Sequence, residues 1–174
     1  MQYGLVVVPP AELAARICEF QKNQLRVLPL AAPHITVKAQ GGLGGDEAWL
    51  NDVRAVVARF PAFRTGIAGV GMFGGEFLHL RAEPHEALLR LHAALLKAVN
   101  PAPALIERYF EGPAYVPHLT LAGPGLSSHE MDVVKAAAEQ RFAKQETFDV
   151  NFVRVLRQAK DGERYLDYLD LPLG

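Results

Sequence analysis

A five-residue phrase occurs twice in the chain, as Pro33-His34-Ile35-Thr36-Val37 and as Pro117-His118-Leu119-Thr120-Leu121, the second copy 84 residues after the first (118 − 34). Side chains on a strand alternate between faces, so in each copy His and Thr project together while the aliphatic residues between them point into a core. The surroundings repeat as well. After the first copy, the polar-apolar alternation from Pro33 to Ala39 stops at Gly41-Gly42-Leu43-Gly44-Gly45. Trp49, Leu50, Val53, Val56, Val57 and Phe60 then form a helical stripe, and Phe63 to Met72 and Glu76 to Ala82 are predicted strands joined through Gly74-Gly75. After the second copy (strand Pro117 to Ala122) come a predicted helix from Ser128 to Phe142, a strand from Thr147 to Gln158 and a last strand from Arg164 to Leu171 beyond an Asp161-Gly162 turn. The step from Phe63 to Thr147 is again 84 (147 − 63). Two copies of one unit can pair about a pseudo-twofold axis as the subunits of a homodimer do, which brings equivalent residues together.

Outside the repeats, Tyr3 to Val8 is an apolar strand stopped by Pro9-Pro10, and Leu13, Ile17 and Phe20 follow at helical spacing. A third amphipathic helix is predicted over Pro84 to Val99, and the proline-rich stretch from Pro101 to Pro117 receives no element. With 174 residues, half of them hydrophobic, residues 1–174 are expected to form one domain of two lobes, built on motif repeats at about 33–82 and 117–171. Eighteen Lys plus Arg against nineteen Asp plus Glu leave a formal charge of −1 with no basic block, so a long polyanion held by charge alone is not expected, whereas one phosphate needs only local donors. The single cysteine, Cys18, excludes a disulfide framework and a cysteine-rich zinc site, and it sits in a helical stretch as a core thiol. Met1 to Val8 has no basic leader and too short an apolar run for a signal peptide or membrane span, so a cytoplasmic location is expected.

The paired phrases place two imidazoles and two hydroxyls around one point. Histidine has an unperturbed pKa of about 6.5, so near neutrality one ring can be the general base and the other, protonated, the general acid. In-line displacement at phosphorus needs both, because a proton leaves the nucleophile on one side and reaches the leaving oxygen on the other. The Thr36 and Thr120 hydroxyls can donate to the non-bridging oxygens. A zinc site is the competing reading, but the two strands carry no carboxylate or thiol beside the rings. His79, His85, His92 and His129 are read as ordinary surface or core-edge residues. Gly41 to Gly45 lacks the Lys-Ser/Thr of a P-loop and is read as a strand-to-helix loop.

These two His-x-Thr-hydrophobic phrases, one per half, resemble the signature of the 2H phosphoesterase superfamily, and of its bacterial RNA 2′,5′-ligase or 2′,3′-cyclic phosphodiesterase branch in particular. The resemblance implies an α+β, bilobal, pseudo-twofold-symmetric fold whose antiparallel sheets line a central groove with helices outside. It makes His34 and His118 the catalytic pair and Thr36 and Thr120 the phosphate-contacting hydroxyls. It implies hydrolysis of a 2′,3′-cyclic phosphate, or cleavage or formation of a 2′,5′ linkage, with no metal and no cofactor. The implied partners are RNA ends or small nucleotides carrying a cyclic phosphate, with no membrane, and the chain is expected to be monomeric. The stretch Met72 to Leu78 is similar to a family segment in which a phenylalanine stacks on a base, which points to Phe73; Tyr115 is a weaker candidate of that type. The chain departs from the pattern where members often carry an arginine after the second motif, since Leu121-Ala122 lead into Gly123-Pro124. Lys38, expected on the strand face of His34 and Thr36, or Arg157, which the 84-residue offset sets opposite Phe73, would then supply the cation. The alternative is a non-catalytic nucleotide or RNA-end binding module of the same fold.

Overall fold

The computed structural model describes residues 1–174. In chain order the elements are β1 (Gln2–Val7), α1 (Ala11–Gln24), β2 (Ile35–Lys38), α2 (Leu50–Val57), β3 (Phe63–Phe73), β4 (Phe77–Ala82), α3 (Glu86–Val99), α4 (Pro103–Arg108), β5 (His118–Ala122), α5 (Ser128–Arg141), β6 (Glu146–Val150), β7 (Phe152–Gln158) and β8 (Leu166–Pro172). Local chemistry sets their ends. Pro10 precedes the first turn of α1, Ser127 and Glu130 close a capping box on α5, and Asn100 takes a left-handed conformation (φ 46°) that stops α3. Gly74 and Gly75, both at positive φ, make the β3–β4 turn. The unassigned proline-rich stretch contains α4 and a 3₁₀ turn over Gly112–Ala114.

All eight strands form one antiparallel sheet in the order β6-β3-β4-β5-β2-β1-β7-β8, with the helices packed on one side over a single apolar cluster. The fold is α+β, as the sequence implied. The two halves of the sheet meet at β2 and β5 through one residue pair, Ile35 opposite Leu119. Each half draws strands from both sequence repeats: β5, β4, β3 and β6 on one side, β2, β1, β7 and β8 on the other. The motif repeats at about 33–82 and 117–171 are therefore each divided between the two halves of the sheet. The expected single strand over Thr147–Gln158 is also divided at Asn151, with β6 at the sheet edge beside β3 and β7 beside β1. Because one residue links β6, at one edge, to β7, one strand in from the other edge, the sheet must curl on itself. That curl leaves its helix-free face concave.

Both motif strands carry a β-bulge at the same place. On β2 the register steps from Thr36 opposite Val6 to Lys38 opposite Leu5, so Val37 is the extra residue; on β5 it steps from Thr120 opposite His79 to Ala122 opposite Leu78, so Leu121 is extra. An inserted residue resets the alternation of faces. This moves Lys38 off the face of His34 and Thr36 and into the helix-covered layer with Leu5. There its side chain is fully buried and its three N–H groups donate to Ala39 O (2.8 Å), Gly41 O (2.6 Å) and Glu111 Oε2 (2.8 Å). Lys38 thus has no donor left for phosphate, contrary to the expectation from simple alternation. Burial pulls the ammonium pKa down and Glu111 pulls it back up, while the second Glu111 oxygen accepts from Ala39 N at 2.9 Å. Through these bonds Glu111, just ahead of the 3₁₀ turn, is clamped onto the end of β2. Glu111→Leu alone is expected to destabilise the protein by about 3–5 kcal/mol, because it strands a buried charge, whereas Lys38→Met combined with Glu111→Leu should recover most of that loss. Urea unfolding of the wild type, the single variant and the double variant measures the difference.

Candidate active site

Ile35 opposite Leu119 lies on the pseudo-twofold axis, and continuing that antiparallel register by one residue each way sets His34 across from Thr120 and Thr36 across from His118. Each imidazole thus faces the hydroxyl of the other copy. The two histidines are diagonal neighbours on one face, for which Cβ separations of about 7–8 Å are usual, leaving room for a tetrahedral anion between the rings. Their orientation is matched. His34 Nδ1 donates to Ala32 O and His118 Nδ1 to Val116 O, each at 2.7 Å. Because a carbonyl can only accept, both rings carry their Nδ1 proton there, and both Nε2 atoms remain free to take or give a proton. Each acceptor carbonyl belongs to the residue before a proline, whose backbone is held extended. Both rings are half-buried. Burial lowers the His34 pKa, the bond to Ala32 opposes it, and the charge of His118 lowers it further; burial likewise lowers His118 against the bond to Val116.

A third imidazole adjoins this pair. His79, opposite Thr120 on β4, is buried, and its ring stacks on Phe73 (centroids 4.0 Å, planes 19° apart) and meets His118 edge-on at 5.2 Å. Phe73 itself contacts His118 edge-on at 4.9 Å. The stack requires Gly71, whose added Cβ would lie 2.4 Å from His79 Nε2. Burial lowers the His79 pKa, and His118 and Arg81 lower it further. The sequence assigned His79 no role. Its only local signal is the alternation of Leu78 and Leu80, both buried, with His79 and Arg81, and that pattern does not say that β4 pairs with β5.

Among the other expected site residues, Thr36, Thr120 and Phe73 lie on the groove face, and Tyr115 and Arg157 do not. Tyr115 packs behind the sheet, its hydroxyl donating to Thr36 O at 2.7 Å and its ring stacked on His92 at 3.8 Å; burial and Glu111 raise its pKa. It therefore supports the β2 backbone and is not placed to stack on a base. Arg157 pairs with Tyr3, on the helix-covered face, and its guanidinium sits 4.8 Å over the Tyr168 ring. The residue register-equivalent to Phe73 is Leu156, because Phe73 pairs with Phe77 as Leu156 pairs with Gly4. The groove face of β7 carries Arg154 instead. Gly41 to Gly44 line a separate hollow of about 610 Å³ with Trp49 and Tyr109. No three His, Cys, Asp or Glu side chains converge as a metal-ligand set, and no helix is long and apolar enough to cross a membrane.

Residues 9–162 match the family model of the 2′-5′ RNA ligase superfamily. Solved structures share the fold at low identity: TT0787 of Thermus thermophilus (19% identity, TM-score 0.69, covering 99% of this chain and 98% of that one), a protein described as a phosphoesterase (15%, 0.62, 99% and 98%), and E. coli LigT complexed with NADP+ (15%, 0.63, 99% and 97%). A search of curated proteins finds no match. The chain belongs to the 2′-5′ RNA ligase superfamily. Histidine proton NMR should show the His34 and His118 rings titrating below 6.5, and saturating inorganic phosphate should raise both midpoints, since an anion between the rings favours their charged forms.

Proposed function

We propose that the protein is a metal-independent phosphodiesterase acting on 2′,3′-cyclic phosphate ends of RNA or on small cyclic nucleotides, with cleavage or formation of 2′,5′ linkages as the related reaction. The observation that carries this reading is the matched pair of Nδ1-anchored imidazoles, each beside the other copy's threonine, on the concave face of the sheet. Family membership and the phosphoesterase-like fold support it, as do solved complexes of E. coli LigT with phosphate and with 3′-AMP.

In the hydrolytic direction, the cyclic phosphate lies between the rings with its non-bridging oxygens accepting from Thr36 and Thr120. One neutral Nε2 takes a proton from water as the water oxygen bonds to phosphorus. The P–O3′ bond breaks, and the other ring, protonated at Nε2, delivers its proton to O3′, which leaves a 2′-phosphate and a free 3′-hydroxyl. Cleavage of a 2′,5′ linkage uses the same groups, with the 3′-hydroxyl attacking, the 5′ oxygen leaving and the cyclic phosphate as product; ligation is its reverse. No step needs a metal to generate the nucleophile.

The site operates with one ring charged and one neutral. As pH rises, the acid loses its proton; as pH falls, the base gains one. Because burial holds both free rings below 6.5, kcat/KM for 2′,3′-cyclic AMP should follow a bell whose maximum lies on the acid side of 6.5. His34→Ala and His118→Ala should each lower kcat by about 10²–10⁴ while leaving circular dichroism unchanged, and the double variant should lose little more. EDTA should have no effect. Full turnover by His118→Ala would reject the paired mechanism, and tight nucleotide binding by the wild type without turnover of any cyclic phosphate would favour the binding-module alternative.

A further inference from the structure

The pseudo-twofold relation makes the two walls of the groove comparable residue by residue, and their charges differ. On the β7–β8 wall, Arg154 is neutralised: Nε and Nη2 donate to Asp170 at 2.7 Å each, and Nη1 to Asp167 at 2.6 Å. One positive charge against two negative ones makes that wall repel phosphate. On the β3–β4 wall the register-equivalent of Arg154 is Gly71, and the cation is Arg81, directly across the ladder from His118. Arg81 is exposed and is engaged in no ion pair; its Nε donates to Ala68 O at 3.1 Å, which leaves its Nη groups open.

Glycine on β3 makes this posture possible. A Cβ at Gly69 would come within 2.9 Å of Arg81 Nη2, and Gly69 also has a positive φ of 73°, which other residues rarely adopt. The guanidinium therefore lies over β3, about two strand spacings or roughly 10 Å from the β5 strand that carries His118. Turned onto β3 and away from β5, the guanidinium suits a second anion further along the same ligand. We propose that Arg81, laid over Gly69, is a second phosphate subsite that takes the penultimate phosphate of an RNA end, so that the substrate runs along the β3–β4 wall and not over the acidic β7–β8 wall. This rests on the reading of the imidazole pair as the seat of the terminal phosphate.

Isothermal titration calorimetry with adenosine 3′-monophosphate and adenosine 3′,5′-bisphosphate tests it without turnover. The wild type should bind the bisphosphate about tenfold more tightly, the size expected of one charge-assisted contact, and Arg81→Gln should remove that preference by weakening the bisphosphate alone. An unchanged preference in Arg81→Gln, or none in the wild type, overturns the subsite. Equal weakening of both ligands also overturns it, because Arg81 would then serve the terminal phosphate. If the preference and its loss are observed but 2′,3′-cyclic AMP is not hydrolysed, the subsite stands and the catalytic reading fails.

Discussion

The short antiparallel junction between β2 and β5 is the constraint on which the site depends. Its one pair, Ile35 opposite Leu119, buries both side chains in the core, which forces the residues on either side of each onto the opposite face. His34, Thr36, His118 and Thr120 consequently share one face without any dedicated loop to hold them. A slip of one residue in this register would send all four inward and expose the aliphatic set, so the hydrophobic cost of slipping is what secures the geometry of the imidazoles. The carbonyls of Ala32 and Val116 complete the placement by fixing ring rotation and tautomer.

The paired bulges extend the same logic. By adding Val37 and Leu121, each motif strand presents only one His and one Thr to the groove before its next residue turns into the helix layer. In one half that residue is Ala122, and in the other it is Lys38, which needs Glu111 and two carbonyls to be tolerated in the interior. Tyr115 and His92 belong to this support as well: His92 donates to Val37 O and accepts from Gly112 N, so the β2 backbone is held from behind by groups that never reach the groove.

Symmetry of backbone is not symmetry of chemistry. The position of His79 on one side is Val6 on the other, as both stand opposite the motif threonine. His118 thus has a second imidazole and the Phe73 ring beside it, whereas His34 has an aliphatic neighbour. Two histidines that are equivalent by repeat therefore differ in electrostatic surroundings, and the groove has a charged polarity that the repeat alone does not contain.

Much of this was legible in the sequence for a physical reason. The alternation of side chains on a strand is local, so the phrase itself determined that His34 pairs in direction with Thr36 and His118 with Thr120, and its recurrence implied the twofold. Glycine turns, helix stripes and caps are local too, and the elements they delimit stand within a few residues of expectation. What the sequence could not determine was anything that depends on which strand lies beside which. The bulge that buries Lys38, the face that takes Arg157 away from the groove, the break at Asn151 and the arrival of His79 and Arg81 beside His118 all follow from register and neighbour choice across strands far apart in the chain. Those are decided by packing of the whole sheet against its helices, and only the tertiary structure holds that information.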